Sequence, residues 1–270
     1  MSNLITRAIT GGLFVAVMIT ALVLGSYYTS ILFALFTVLG LIEFYKLFQS
    51  SEEFSPLLIY GTAAGFIIFA VLQLYFYVDY PFYFTVVLIP VALIPFVIEL
   101  YINKKNPIVN VAILTFGWIY IVFPFYIVSL IRNFNTDLNW KLIIGMFVLI
   151  WSNDTFAYLT GRFFGKNKLF ERISPKKTWE GTIGGFAFTL LAGSLFSLFT
   201  NGDTFFWIIS ALIISPCSIF GDLFQSLMKR HAGVKDSGNI LPGHGGILDR
   251  FDAALFTAPF FFTWIIFYFS

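Results

Sequence analysis

Between Ser218 and Asp252 the chain reads SIFGDLFQSLMKRHAGVKDSGNILPGHGGILDRFD, with eight Asp, Lys and Arg residues in a protein only 11% charged. Ser218, Asp222, Gln225, Ser226 and Lys229 recur at i, i+4, i+7, i+8 and i+11, which predicts one polar face on a helix. With 1.5 Å of rise per residue, Asp222 lies roughly 10 Å deeper along that helix than Lys229. A carboxylate at that depth in an apolar segment needs protein, water or a cation beside it. The loop that follows holds Gly233, Gly238, Gly243, Gly245 and Gly246, where backbone can approach a ligand and turn N–H groups toward phosphate oxygens. Asp249, Arg250 and Asp252 open the next apolar segment, with the two acids at i and i+3 on one face. These residue types, in this order, point to a metal- and phosphate-binding site at a membrane surface.

A second polar group precedes it. Asp154, Tyr158 and Arg162 share a helical face at i, i+4 and i+8, and Asp154 lies within an apolar run. Either it functions directly or it pairs with Arg162 or another base. The basic loop after it carries Lys166, Lys168 and Arg172, which read first as a topology signal and second as a hold on anionic headgroups. In Ser174-Pro-Lys-Lys-Thr-Trp-Glu-Gly181, two lysines precede a helix that Thr178 can cap, and a helix N-terminus beside Lys176 and Lys177 suits phosphate. Gly181, Gly184 and Gly185 read as a close packing surface.

The candidate metal ligands are Asp154, Asp222, Asp249 and Asp252, and the candidate phosphate partners are Lys176, Lys177, Lys229, Arg230, Lys235 and Arg250. Carboxylates without Cys or His clusters suit Mg²⁺, with room for a second cation. Mg²⁺ among lysines and arginines suits phosphoryl or nucleotidyl transfer, in which charge neutralisation and in-line positioning carry the work. No G-x-x-x-x-G-K-[ST] or G-x-G-x-x-G occurs.

The elements that must position these groups follow from composition. The chain has 270 residues, 59% of them hydrophobic, more than a soluble domain of this size can bury. Apolar runs of about 20 residues recur, each enough to cross a hydrocarbon core. They predict an all-α, polytopic transmembrane bundle of about nine spans, at 5–25, 28–48, 57–78, 82–102, 108–132, 140–163, 178–200, 204–228 and 249–269. Ile9–Leu24 is read as a retained span and not a cleaved signal, having no small-x-small site and a second span close behind. The N-terminus is placed in the cytoplasm, because only Arg132 and Lys141 of the 16 Lys and Arg then fall outside, and the C-terminus is outside. Five quiet N-terminal spans (1–135) precede a C-terminal catalytic part (136–270). Glu43 and Glu99 sit near cytoplasmic helix ends, where snorkelling, Lys46 or Lys104 can satisfy them. Pro90 and Pro95 suggest a kink. The single Cys217 excludes an intrachain disulfide and a Cys-based zinc site.

The run Ser226-x-x-Lys229-Arg230-x₄-Lys235-Asp236-x-Gly238-x₂-Leu241-Pro242-x-His244-Gly245-Gly246-x-x-Asp249-Arg250-x-Asp252 resembles the signature of the phosphatidate cytidylyltransferase (CDP-diacylglycerol synthase) family, without departure. The SPKKTWEG segment and the Asp154 region are similar to that family too. The first 140 or so positions agree only in being hydrophobic spans. The resemblance implies a transferase of phospholipid biosynthesis that condenses CTP with phosphatidate, giving CDP-diacylglycerol and pyrophosphate, with Mg²⁺. Together with the residue chemistry it implies that Asp222 and Asp249 hold Mg²⁺ and that Asp154 supports the metal or orients a base, with Asp252 a further candidate ligand. Lys229, Arg230 and Arg250 neutralise the triphosphate, and His244 hydrogen-bonds a phosphate. Lys176, Lys177, Thr178, Ser226, Lys235, Gly245 and Gly246 complete the substrate contacts. The expected setting is a cell (inner) membrane with the site on its cytoplasmic side. The expected partners are CTP, phosphatidate and the bilayer, with no nucleic acid, and the Gly-rich surfaces allow a homodimer. An ion transporter, a lipid or polyprenol kinase and a membrane scaffold are the rival readings. The transporter reading lacks the internal repeat it calls for.

Overall fold

The computed structural model describes residues 3–49, 55–78, 81–102, 104–134, 138–240, 242–243 and 245–270. The architecture is helical, as the hydropathy pattern predicts. Eight helical stretches among the described residues are long and apolar enough to cross a membrane, and Ala8–Leu24 is a shorter apolar helix. The chain is a multi-pass helical membrane protein, and each expected span falls on a helix. Two compact units emerge: Met1–Ser129 with His231–Arg250, and Leu130–Arg230 with Phe251–Ser270. The first break falls between Ser129 and Leu130, and the Gly-rich loop belongs with the N-terminal unit.

In the first unit, α1 (Asn3–Leu24), α2 (Ser26–Gln49), α3 (Leu58–Tyr77), α4 (Leu88–Ile102) and α5 (Pro107–Gly117) are successive helices. Pro107 starts α5 at a position where its missing N–H is no loss. A π-helical stretch, Trp118–Val122, joins α5 to α6 (Phe123–Asn133), making one long rod. In α4, Pro90 falls in the first turn, whereas Pro95 lies inside the helix. The centre of this unit is α2, whose Phe33, Leu41, Phe44 and Tyr45 are fully buried. Glycine lets its neighbours close in. A Cβ on Gly61 would stand 2.6 Å from the Tyr45 ring, and one on Gly117 would stand 2.8 Å from the Tyr45 hydroxyl. Close backbone approach of this kind replaces the hydrophobic driving force that lipid removes. The Tyr45 hydroxyl donates to the Leu114 carbonyl at 3.0 Å, and Trp118 Nε1 donates to the Gly61 carbonyl at 2.8 Å, so both polar tips are satisfied inside the helix cluster.

The second unit is built on α7 (Trp140–Phe164) and α8 (Trp179–Thr200), with α9 (Thr204–His231) and α10 (Leu248–Phe269) supplying the rest. The glycines expected to pack do so. A Cβ on Gly181 would lie 2.7 Å from the Ala157 carbonyl oxygen, and one on Gly185 would lie 2.9 Å from that of Asn153. Gly221 serves the α9–α10 contact in the same way, since a Cβ there would lie 2.6 Å from the Asp252 carbonyl oxygen. Asp222, the next residue, is thereby brought alongside the first turns of α10. Trp207, fully buried, stacks edge-on against Phe196 with centroids 4.7 Å apart.

One element was not foreseen. Between α7 and α8 the basic loop forms a hairpin of β1 (Lys168–Phe170) and β2 (Ser174–Thr178), antiparallel, pairing Lys168 with Thr178 and Phe170 with Ser174. Glu180, in the first turn of α8, anchors its base: its carboxylate accepts from the Lys166 amide at 3.0 Å and from Asn167 Nδ2 at 2.7 Å. Ser174-Pro-Lys-Lys-Thr178 is therefore a strand that runs straight into the α8 cap.

Candidate active site

In the second unit, Thr178 ends β2 in an extended conformation, and its hydroxyl accepts from the Gly181 amide at 3.2 Å, the N-cap its position predicts. That cap fixes where the two lysines before it stand. Lys176, Lys177 and Thr178 line a cleft of about 380 Å³ whose other walls include Asp154, Tyr158 and Arg162 of α7 and Asp222 of α9. The i, i+4, i+8 face of α7 thus opens into one cavity.

Lys177 Nζ is 2.5 Å from Asp222 Oδ2, an ion pair with about a third of each side chain exposed (27% and 31%). The other oxygen of Asp222 accepts from Ser226 Oγ at 3.2 Å, one turn further along α9. Asp154 takes Ser218 Oγ of α9 as a donor at 3.4 Å. Beneath it, Ser215 Oγ donates to Asn153 Oδ1 at 2.6 Å, and both residues are buried. Asn153 and Ser215 form a polar seam that sequence reasoning missed; it fastens α7 to α9 directly below the acids. Asp252, half-buried on α10, accepts from its neighbouring Ala253 amide at 2.8 Å and lies within electrostatic reach of Asp222, Asp154 and Lys229. Arg230 is exposed at the end of α9.

The carboxylate set suits a hard divalent cation, although among the described residues no three acidic, His or Cys groups converge as a ready-made ligand cluster. Mg²⁺ is commonly bound by one or two carboxylates, with water and substrate phosphates completing the octahedron. Asp154 and Asp222 in one cleft provide that, with a lysine already drawn to the negative charge.

The first unit holds the rest of the signature. Lys235 and Arg250 are exposed. Asp249 Oδ2 accepts from the amides of Ser237 at 2.9 Å and Gly246 at 3.0 Å. Gly243 and Gly245 have φ of 77° and 83°, a region that favours glycine. Leu241 and His244 lie outside the described residues.

Glu43 departs from expectation. It is 3% exposed, and its partner is not Lys46. Its carboxylate accepts from the amides of Ile247 at 2.9 Å and Leu248 at 3.0 Å, and from Ser237 Oγ at 3.2 Å. An acid in α2 thus caps the N-terminus of α10 from about 200 positions away in the sequence. Only its presence in an apolar span marked it. Glu99 follows the expectation, with Lys104 Nζ 3.7 Å away, and Asn110 Nδ2 also donates to it at 3.5 Å.

A membrane-helical scaffold with a carboxylate–lysine cleft defines the class, and over residues 5–268 the sequence matches the Cytidylyltransferase family, to which the chain belongs. Among curated relatives, the phosphatidate cytidylyltransferase of Bacillus subtilis (strain 168) is 43% identical over 155 residues, 57% of this chain and 57% of that protein. The phosphatidate cytidylyltransferase of Haemophilus influenzae is 45% identical over 127 residues, 44% of each chain. That of Staphylococcus aureus (strain COL) is 49% identical over 119 residues, 43% of this chain and 46% of that one. The matching stretch spans about half the length of these relatives.

Proposed function

We propose that this protein is a phosphatidate cytidylyltransferase, condensing CTP with phosphatidate to give CDP-diacylglycerol and pyrophosphate. The observation that carries the reading is the Lys177–Asp222 pair in a cleft shared with Asp154, where strand β2 meets the helices α7 and α9. A lipid phosphate needs cations at headgroup depth, and a nucleotide triphosphate needs a route from the aqueous side. The distribution of Lys and Arg supports a cytoplasmic N-terminus and a site on the cytoplasmic face of a bacterial inner membrane.

In the proposed reaction a phosphatidate oxygen attacks the α-phosphorus of CTP in line. The new P–O bond forms as the bond to the β-phosphate bridging oxygen breaks, and pyrophosphate leaves with that electron pair. The attacking phosphate is already ionised near neutral pH, so no strong general base is needed. Asp222, Asp154 and Asp252 of the second unit, and Asp249 of the first, are the carboxylates that would hold Mg²⁺, which would supply charge neutralisation to the phosphates. Lys177 begins on Asp222 and moves to a phosphate oxygen when substrate enters. Lys176 stands beside it on the same strand for the second anionic group. Ser226 keeps the Asp222 carboxylate oriented throughout. Lys229, Arg230, Lys235 and Arg250 screen the triphosphate and the departing pyrophosphate, and the Gly245 amide and the His244 ring are assigned to phosphate oxygens, whereas the Gly246 amide is already given to Asp249.

The test is turnover by purified protein in detergent with phosphatidate, Mg²⁺ and each of the four NTPs, following pyrophosphate and lipid product together. A CMP-bearing lipid with CTP, lost with EDTA and in Asp249→Asn, is the expected outcome. Transfer of labelled γ-phosphate to the lipid would instead mark a kinase, and no product from folded protein would overturn the reading.

A further inference from the structure

Two carboxylates grip one loop. Ser237 gives its hydroxyl to Glu43 and its amide to Asp249; nine positions later, Gly246 gives its amide to Asp249 while Ile247 and Leu248 give theirs to Glu43. Ser237 at one end of this stretch and Gly246 to Leu248 at the other are therefore tied, like the two feet of an arch, to the same pair of acids. Glu43 sits between the two feet. A Cβ on Gly238 would lie 2.6 Å from its Oε1, and a Cβ on Gly246 would collide with its carboxylate. Two of the five loop glycines are thus required by Glu43 itself and not by a ligand.

We propose that Glu43 is a positioning residue of the reaction: it fixes the arch and thereby the placement of Lys235, Gly245 and Asp249 toward the nucleotide. This rests on the cytidylyltransferase reading. The chemistry explains why the residue is an acid. A carboxylate has only acceptors, and all three groups aimed at it are donors. A glutamine of the same size would turn an NH₂ toward one of them. A buried charge is otherwise disfavoured in an apolar span, and here the amides at the N-terminus of α10 offset it.

Glu43→Gln tests the proposal through two readouts. The first is amide hydrogen exchange of the detergent-solubilised protein: exchange over 237–248 should accelerate at least tenfold while peptides from α7 and α8 stay as they were. The second is steady-state kinetics: KM for CTP should rise at least tenfold, kcat should change less, and Glu43→Asp, which keeps the charge, should recover part of the loss. Gly246→Ala, which drives a methyl into the carboxylate, should reproduce both effects. Unchanged exchange overturns the proposal, as does accelerated exchange with KM unmoved, which would leave Glu43 a purely architectural residue. If the wild-type protein turns over no nucleotide, the proposed function fails and the exchange experiment alone judges the grip on the arch. Should Glu43→Gln not purify, Gly246→Ala is read in the same way.

Discussion

Replacing Lys177 with methionine removes one charge from the cleft and keeps most of the side-chain volume. Across 2.5 Å, Coulomb's law gives the pair about 1.7 kcal/mol at the dielectric of water and about 6.6 kcal/mol at an effective value near 20. Desolvation offsets much of this, and with about a third of each side chain exposed (27% and 31%) the net stabilisation is about 1 kcal/mol. Thermal melting in detergent should therefore fall by only about 2–4 °C. Catalysis should suffer more, because Lys177 is assigned a charge-assisted hydrogen bond to a substrate phosphate worth about 1.5–3 kcal/mol, or about 10- to 150-fold in kcat/KM. A second sign separates this from general damage. If Asp222 binds the cation as proposed, Lys177 competes with it in the wild type, so Lys177→Met should reach half-maximal activity at a lower Mg²⁺ concentration even as its maximal rate drops. The assay is pyrophosphate release at saturating phosphatidate, with CTP and Mg²⁺ varied in turn. A kcat/KM within threefold of wild type, or a Mg²⁺ requirement that rises, would refute the role assigned to the pair.

Two further predictions concern the scaffold under the cleft. Gly185→Val should separate α7 from α8, because the first added carbon already meets the Asn153 carbonyl oxygen at 2.9 Å; overpacking of about 1–3 kcal/mol should appear as a lower melting temperature and lost activity, whereas a residue on the lipid-facing side of α8, such as Leu191, should tolerate the same change. Ser215→Ala leaves the buried Asn153 oxygen without its 2.6 Å donor, which should destabilise the protein by about 1–3 kcal/mol, read by thermal melting, while Ser215→Thr, which keeps the hydroxyl, should recover part of it.

The spans and their order were legible in the sequence because lipid imposes a simple rule: each crossing needs about 20 apolar residues with every backbone group paired internally. The helix phase of Asp154, Tyr158 and Arg162, the cap at Thr178 and the packing glycines 181 and 185 were legible for the same reason. Each depends on neighbours within two helical turns, where spacing alone decides which side chains share a face. The β1–β2 hairpin was not, since five residues bracketed by charges carry too little periodicity to signal a strand. Nor was the Lys177–Asp222 pair, which joins a strand to a helix 45 positions on and depends on how α7, α8 and α9 pack.

Glu43 marks the boundary between the two kinds of information. Its sequence neighbourhood offers Lys46 one turn away, and local reasoning stops there. Its actual partners are amides at the start of α10, which no spacing rule connects to α2. The sequence by itself determined a multi-pass helical membrane protein with acids, lysines and a Gly-rich loop suited to phosphate chemistry. Only the tertiary structure decided which acid opens into the cleft, which one binds the loop, and that two of the loop glycines make room for a carboxylate. The reason is physical: hydropathy and periodicity are sums over adjacent residues, whereas a buried charge is settled by whichever donors the folded chain brings to it.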